Sequence, residues 1–257
     1  MVDKTYTKKT IEGYDLIKII GGWPYLISST IDKLKEIKDE IIIIAVDGSK
    51  GSGKTQLIKD YYENETGENC LYNRFREGLA IYGNFSKERT NKTRKFLIET
   101  KPYCCPELVS FLLDLSSVYI YNCGEFTLNW RVYDFEKVYS DDIDPPMALW
   151  LFKYWEKLDI EPNKENYLDL VLTKEYLTDT SIHDKFKSSI SKMFIDNKIH
   201  SLATFRKGCD EKIYKEQFKL VVDIINNSKV KTIKGKQLTG EYLIQIIDKY
   251  EFHLKND

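Results

Sequence analysis

The segment Gly48-Ser49-Lys50-Gly51-Ser52-Gly53-Lys54-Thr55 fits the pattern G-x-x-x-x-G-K-[ST] at every fixed position. Glycines in such a loop let the backbone curl until successive N–H groups converge on phosphate oxygens. Lys54 would offset the charge of the β- and γ-phosphates, and the Thr55 hydroxyl would ligate Mg²⁺. A helix starting there adds the positive end of its dipole. The chemistry implied is the binding of a nucleoside triphosphate with Mg²⁺ as cofactor.

Such a loop works only between a buried strand and a helix, and the sequence supplies both. Ile41 to Val46 is a continuous, β-branched apolar run that ends at Asp47-Gly48, the pattern of a strand buried on both faces. Lys54 to Tyr62 has a helical pattern. Upstream, Leu16 to Ile20 is apolar, Gly21-Gly22-Trp23-Pro24 reads as a turn, and a helical pattern runs to about Lys38. Downstream, a polar loop is expected from Glu63 to about Asn73. Strands are expected at Gly78 to Asn84, Arg94 to Glu99, Ser117 to Asn122 and Met147 to Trp155, and helices at Pro106 to Leu115 and Glu125 to Tyr139. Helical patterns at about 164–176, 184–195, 211–228 and 240–253 then dominate. The fold class expected is α/β: a P-loop NTPase with a doubly wound sheet and helices added at the carboxyl-terminal end. One domain over 1–257 is expected, with about 160–257 mostly helical.

Bulk properties narrow the function. The 39 basic and 40 acidic residues leave a net charge of −1, without the basic excess that nucleic-acid binding usually leaves. No run approaches the ~20 apolar residues of a membrane span. MVDKTYTKKT lacks the apolar segment of a signal peptide, so a cytoplasmic location is expected. The cysteines Cys70, Cys104, Cys105, Cys123 and Cys209 are odd in number and form no C-x-x-C pair, which suits reduced, mostly buried thiols. His183, His200 and His253 have no metal-ligand spacing. Asp114 reads as an exposed or capping carboxylate, and the basic run at 229–236 as a solvated face.

Several stretches beyond the P-loop carry a family resemblance. Leu115-Ser116-Ser117-Val118-Tyr119-Ile120-Tyr121-Asn122 is similar to an "LSS-x-x-x-YN" strand. Asn226-Asn227-Ser228-Lys229-Val230-Lys231-Thr232-Ile233 is similar to an "SNSKTKTL" segment, and Ala148 to Glu161 to a strand that carries a base-reading motif. Together with Tyr14 to Val46 before the P-loop, their order resembles the large GTPase domain of the guanylate-binding proteins and atlastins, in the wider dynamin-like group. The resemblance implies GTP or GDP as ligand, with ATP left open, and a homodimer through the nucleotide face.

The departures from that family bear on mechanism. The position of its P-loop arginine finger, a group worth ~10³–10⁵ in rate, is Gly51 here, with Lys50 beside it. The switch threonine falls near Arg76. The D-x-x-G motif falls on Glu99-Thr100-Lys101-Pro102, so Glu99 is the candidate catalytic carboxylate and the glycine is missing. The base-reading Arg-Asp falls on Lys153-Tyr154, and Asp159, in Glu156-Lys157-Leu158-Asp159, is the nearby candidate for reading guanine. The expectation is a guanine-nucleotide-binding domain with weak or lost hydrolysis. One alternative is a pseudo-GTPase serving as an interaction module for a protein partner. Another is a nucleoside or nucleotide kinase, which the Val46-Asp47-Gly48 lead-in resembles. Beyond Arg74 and Arg76, however, the arginines form no lid-like cluster. Membrane fusion or tethering by this chain alone is not expected.

Overall fold

A computed structural model describes residues 10–48, 50–67, 69–71, 77–86, 93–101, 106–123, 145–152, 196–201 and 211–255. The architecture grows from one strand, β3 (Ile41–Asp47), all seven residues of which are buried. Its alternate side chains face two separate cores. Ile41, Ile43 and Ala45 join a cluster with Leu34, Leu112 and Leu243, while Ile42, Ile44 and Val46 join one with Leu57, Ile58, Phe218 and Val221. A strand with apolar residues on both faces needs helices on both faces. The first face is covered by α1 (Ser28–Lys35), α3 (Pro106–Leu115) and α5 (Gly240–Lys255). The second is covered by α2 (Lys54–Tyr61) and α4 (Glu211–Asn226).

The remaining strands are β1 (Thr10–Ile20), β2 (Trp23–Leu26), β4 (Asn69–Leu71), β5 (Gly78–Gly83), β6 (Arg94–Thr100), β7 (Val118–Cys123), β8 (Met147–Phe152) and β9 (Asp196–Ser201). Their order in the sheet is β2-β1-β5-β6-β3-β7-β8-β9, with β4 beside β1. The pairs β6–β3, β3–β7, β7–β8 and β8–β9 are parallel, and β5 runs antiparallel to β6. After β3 the chain builds β5 and β6 on one side, then crosses through α3 to β7 on the other. Strand order therefore reverses at β3. In open α/β sheets the crevice at the carboxyl end of such a reversal is where ligands bind, and here it falls on the P-loop.

Most of the expected elements that fall among the described residues form within a residue or two of their predicted bounds. Of the expected Gly21-Gly22-Trp23-Pro24 turn only the glycines turn, because Trp23 and Pro24 pair with Ile20 and Ile19 and open β2. The stretch expected to be a polar loop after α2 instead holds a π-helical turn, Tyr62–Thr66, and β4. β4 is only three residues long and forms by pairing with Thr10 to Glu12 of β1, a non-local partner that local patterning cannot reveal. The part from about 160 onward is not helical throughout, since Asp196–Ser201 extends the sheet beside β8 and Thr232–Ile233 pairs with Lys236–Gln237 as β10 and β11. The DNKIHS sequence of β9 has no apolar alternation, so register with β8 decides its conformation. The helices expected at 125–139, 164–176 and 184–195 lie outside the described residues. No helix among the described residues is long and apolar enough to cross a membrane.

Two side chains differ from expectation. Asp114 is buried at 3% exposure, because α3 is apolar around most of its circumference and offers no wet face. Lys231, in the run expected to be a solvated face, is buried too. Its Nζ donates to the carbonyls of Leu113 (2.8 Å) and Ser116 (3.1 Å), satisfying the carboxyl end of α3. Cys70 is a buried free thiol, pushed up to about 11 chiefly by burial, and stays protonated at neutral pH.

Burial pushes the Asp114 carboxyl up from 3.8 to about 6, with the Lys231 ammonium acting in the opposite direction. A carboxyl raised on folding holds its proton more tightly in the native state. Stability should therefore fall as pH rises through the interval from 3.8 to about 6 and stay lower above it. At about 1.4 kcal/mol per pKa unit the loss is on the order of 3 kcal/mol. Urea unfolding of wild type and Asp114→Asn across this range should show the variant gaining relative stability as pH rises. Parallel profiles for the two proteins would refute the assignment.

Candidate phosphate-binding site

The site is built where β3, β6 and β7 end together. Gly48 has φ +140, and a Cβ there would lie 2.1 Å from the backbone oxygen of Asn122. Only glycine lets the loop leave β3 so close to the end of β7. Gly51 has φ +77 with open space around it. The backbone at Gly51 is therefore left-handed, strained for any L side chain. Gly53 caps α2. Lys54 is buried and folds back over the loop, its Nζ donating to the Gly48 carbonyl at 2.6 Å. Ser52 is buried beneath the loop, while Lys50 and Gly51 are exposed.

Register brings Glu99 to the loop. Val46 pairs with Glu99 across the parallel β3–β6 ladder, so both face the α2 side of the sheet. The Thr55 hydroxyl donates to Glu99 Oε1 at 2.5 Å. Glu99 Oε2 accepts from the Tyr82 hydroxyl (3.0 Å) and from Lys101 Nζ (2.7 Å). The carboxylate is only 2% exposed, and an ionised group so buried requires this degree of hydrogen bonding. The Tyr82 ring reaches it by lying against Gly13 of β1, where a Cβ would come within 2.3 Å of Tyr82 Cε1.

Asp47, one residue beyond Val46, faces the opposite side. Its buried carboxylate accepts from the hydroxyl of Thr100 on β6 and from that of Tyr119 on β7 (2.5 Å). Asp47 thus ties the ends of β3 and β6 to the first residues of β7, directly before the loop. Asn122 closes the floor. It is 1% exposed, lies on the α2 side by strand alternation, and neither its amide oxygen nor its amide nitrogen has a hydrogen-bond partner. An orphaned buried amide beside a phosphate loop is costly unless something binds there.

The structure thus brings together Gly48, Lys50, Gly51, Ser52, Gly53, Lys54, Thr55 and Glu99. Ser49, Asp159, Arg74, Arg76, Lys153 and Tyr154 lie outside the described residues. Sequence reasoning missed Asp47, Tyr82, Lys101 and Asn122 as parts of the site. A usable signal was present for two of them, since Asp47 and Asn122 are polar residues ending otherwise apolar strands. Thr55 and Glu99 offer the hard oxygen donors that suit Mg²⁺, which takes one or two carboxylates and completes its shell with phosphate and water. Among the described residues no cluster of three or more His, Cys, Asp or Glu could hold a metal.

No family model and no curated protein sequence matches this chain. Among solved structures it is similar to the bacterial selenocysteine-specific elongation factor EF-Sec. The likeness has 13% identity and a TM-score of 0.35, and covers 74% of this chain and 30% of that one. This chain thus spans under a third of that protein's length.

The Asp47 tie can be measured. Tyr119→Phe and Thr100→Val each remove one donor from a buried carboxylate and should each cost about 1–3 kcal/mol in urea unfolding. Because both act through Asp47, the double variant should depart from additivity. Two neutral, additive substitutions would mean that Asp47 does not hold the strand ends.

Proposed function

We propose that this chain is a guanine-nucleotide-binding P-loop domain of the guanylate-binding protein and atlastin type, of the P-loop NTPase fold class, in which GTP hydrolysis is weak or lost. The observation that carries the binding half is the Thr55–Glu99 hydrogen bond. It joins the hydroxyl that follows the P-loop lysine to a carboxylate at the end of the neighbouring parallel strand, at the reversal point of the sheet. Lys54 supplies the phosphate countercharge, the loop amides and the start of α2 supply dipoles, and Asn122 offers an amide with both atoms free to bind. Thr55 and Glu99 are the oxygen donors that would hold Mg²⁺ and let it offset phosphate charge, and at Glu99 the metal would have to displace the Lys101 ammonium. Guanine selectivity rests on the sequence resemblance and on Asp159.

The hydrolytic half rests on what surrounds the phosphate loop. Phosphoryl transfer depends on positioned charge at the transition state. Gly51 provides none, and its left-handed backbone disfavours any replacement. Both oxygens of Glu99 are held by donors, so the carboxylate has little freedom to orient a water. Pro102, where the family has the glycine of D-x-x-G, has no N–H to offer a phosphate.

Calorimetry with GTP, GDP and ATP in Mg²⁺ should show guanine nucleotides bound more tightly than ATP, and Lys54→Ala should abolish binding. Heats identical for wild type and Lys54→Ala would sink the reading. In single-turnover assays GTP should remain largely uncleaved, slower by ~10³ or more than in an enzyme with an arginine finger. Rapid turnover that rises with protein concentration, as a dimer supplying Arg74 or Arg76 in trans would give, would overturn the hydrolytic half alone.

A further inference from the structure

Glu99 already has a cation. The Lys101 ammonium lies 2.7 Å from Oε2, and the two side chains are 11% and 3% exposed. Lys101 is not a wandering surface lysine, because its backbone N–H donates to the Gly78 carbonyl at 2.9 Å, fixing it against the start of β5. The ion pair itself puts the Lys101 ammonium on the same side as the Glu99 carboxylate, that of α2 and the loop. Oε1 is meanwhile engaged by Thr55 at 2.5 Å and Oε2 also by Tyr82 at 3.0 Å.

This arrangement changes what the site requires of a metal. A buried carboxylate beside a phosphate loop repels an incoming polyphosphate, and a divalent cation between them relieves that repulsion. Here the carboxylate is neutralised from within the chain. Phosphates approaching Lys54 and the loop amides would meet a neutral Glu99–Lys101 pair instead of a bare anion. By the same logic the pair attracts a divalent cation less than a lone carboxylate does. A metal seeking Glu99 must displace an ammonium held at hydrogen-bonding distance.

We propose that Lys101 is a resident cation that takes the place of Mg²⁺ at Glu99, so that this P-loop binds guanosine di- and triphosphates with little dependence on divalent metal. Lys101 acts here as a specificity-determining and positioning residue, and the inference rests on the nucleotide-binding reading above. It adds a direction that the reading alone does not contain: metal and Lys101 compete for one carboxylate. Removing the ammonium should make the site behave like an ordinary metal-requiring one.

The test is calorimetric titration of the full chain with GDP and with GTP, in EDTA and in saturating Mg²⁺. Wild type should bind with affinities within about threefold of each other in the two conditions. Lys101→Met should lose about tenfold or more in EDTA and recover in Mg²⁺, while Lys101→Arg should keep the wild-type behaviour. Mn²⁺ titrated alone, read by its electron spin resonance, should bind more tightly to Lys101→Met than to wild type. Wild-type binding that weakens about tenfold or more in EDTA would overturn the proposal, even if Lys101→Met failed to fold. So would a folded Lys101→Met as indifferent to metal as wild type. An absence of nucleotide binding in both conditions would instead remove the reading on which the proposal rests.

Discussion

A sheet buried on both faces has no wet side for a charge, yet two of its central strands end in carboxylates. Asp47 and Glu99 stand at neighbouring positions of β3 and β6 and point to opposite faces, both almost fully buried. Each is tolerable only because hydroxyls, and for Glu99 an ammonium, reach it from neighbouring strands and from the first turn of α2. The need to satisfy these groups constrains the register of β5, β6 and β7 around β3. The P-loop inherits its position from that agreement, since Asp47 is covalently joined to Gly48 and Glu99 holds the first turn of α2 through Thr55.

The opposite end of the sheet follows a related logic with different groups. Arg94, at the start of β6, donates Nε to Asp39 at 2.6 Å and a guanidinium nitrogen to the carbonyls of Asn84 and Ser86. Lys231 satisfies the last carbonyls of α3. Both cations are buried, and each closes a place where the chain enters or leaves the sheet. Buried polar groups that are fully hydrogen-bonded narrow the set of acceptable packings more than apolar contacts do. In this fold they stand at the ends of strands, leaving the middle to isoleucine, leucine and aromatic side chains.

This distribution explains what could be read from the sequence. The P-loop, β3 and α2 were legible because their signal is local: an apolar run, a glycine pattern and a helical period within fifteen residues, 41–55. Glu99 was legible as the acidic end of the next parallel strand. The partners of the two carboxylates were not, because Tyr82, Thr100, Lys101 and Tyr119 meet them through sheet register, which no single segment encodes. Asp114 looks like a surface residue beside an apolar run until its helix proves to be buried. Lys231, in a basic run, looks solvated because its acceptors, the carbonyls of Leu113 and Ser116, lie far away in the chain. β9 was missed because its sequence is polar and its conformation comes from its neighbour.

The contact between Tyr82 and Gly13 gives the site an unusual reach. The ring that delivers a hydroxyl to Glu99 occupies space left by the absent side chain of a residue on β1, a strand separated from β6 by β5. The smallest residue type on an outer strand therefore sets how far an aromatic side chain can extend toward the phosphate loop. A single methyl group added at Gly13 would need to displace the ring, and the displacement would be felt at the carboxylate rather than at the sheet's edge. Position 13 is thus a steric element of the site, although it carries no chemistry itself.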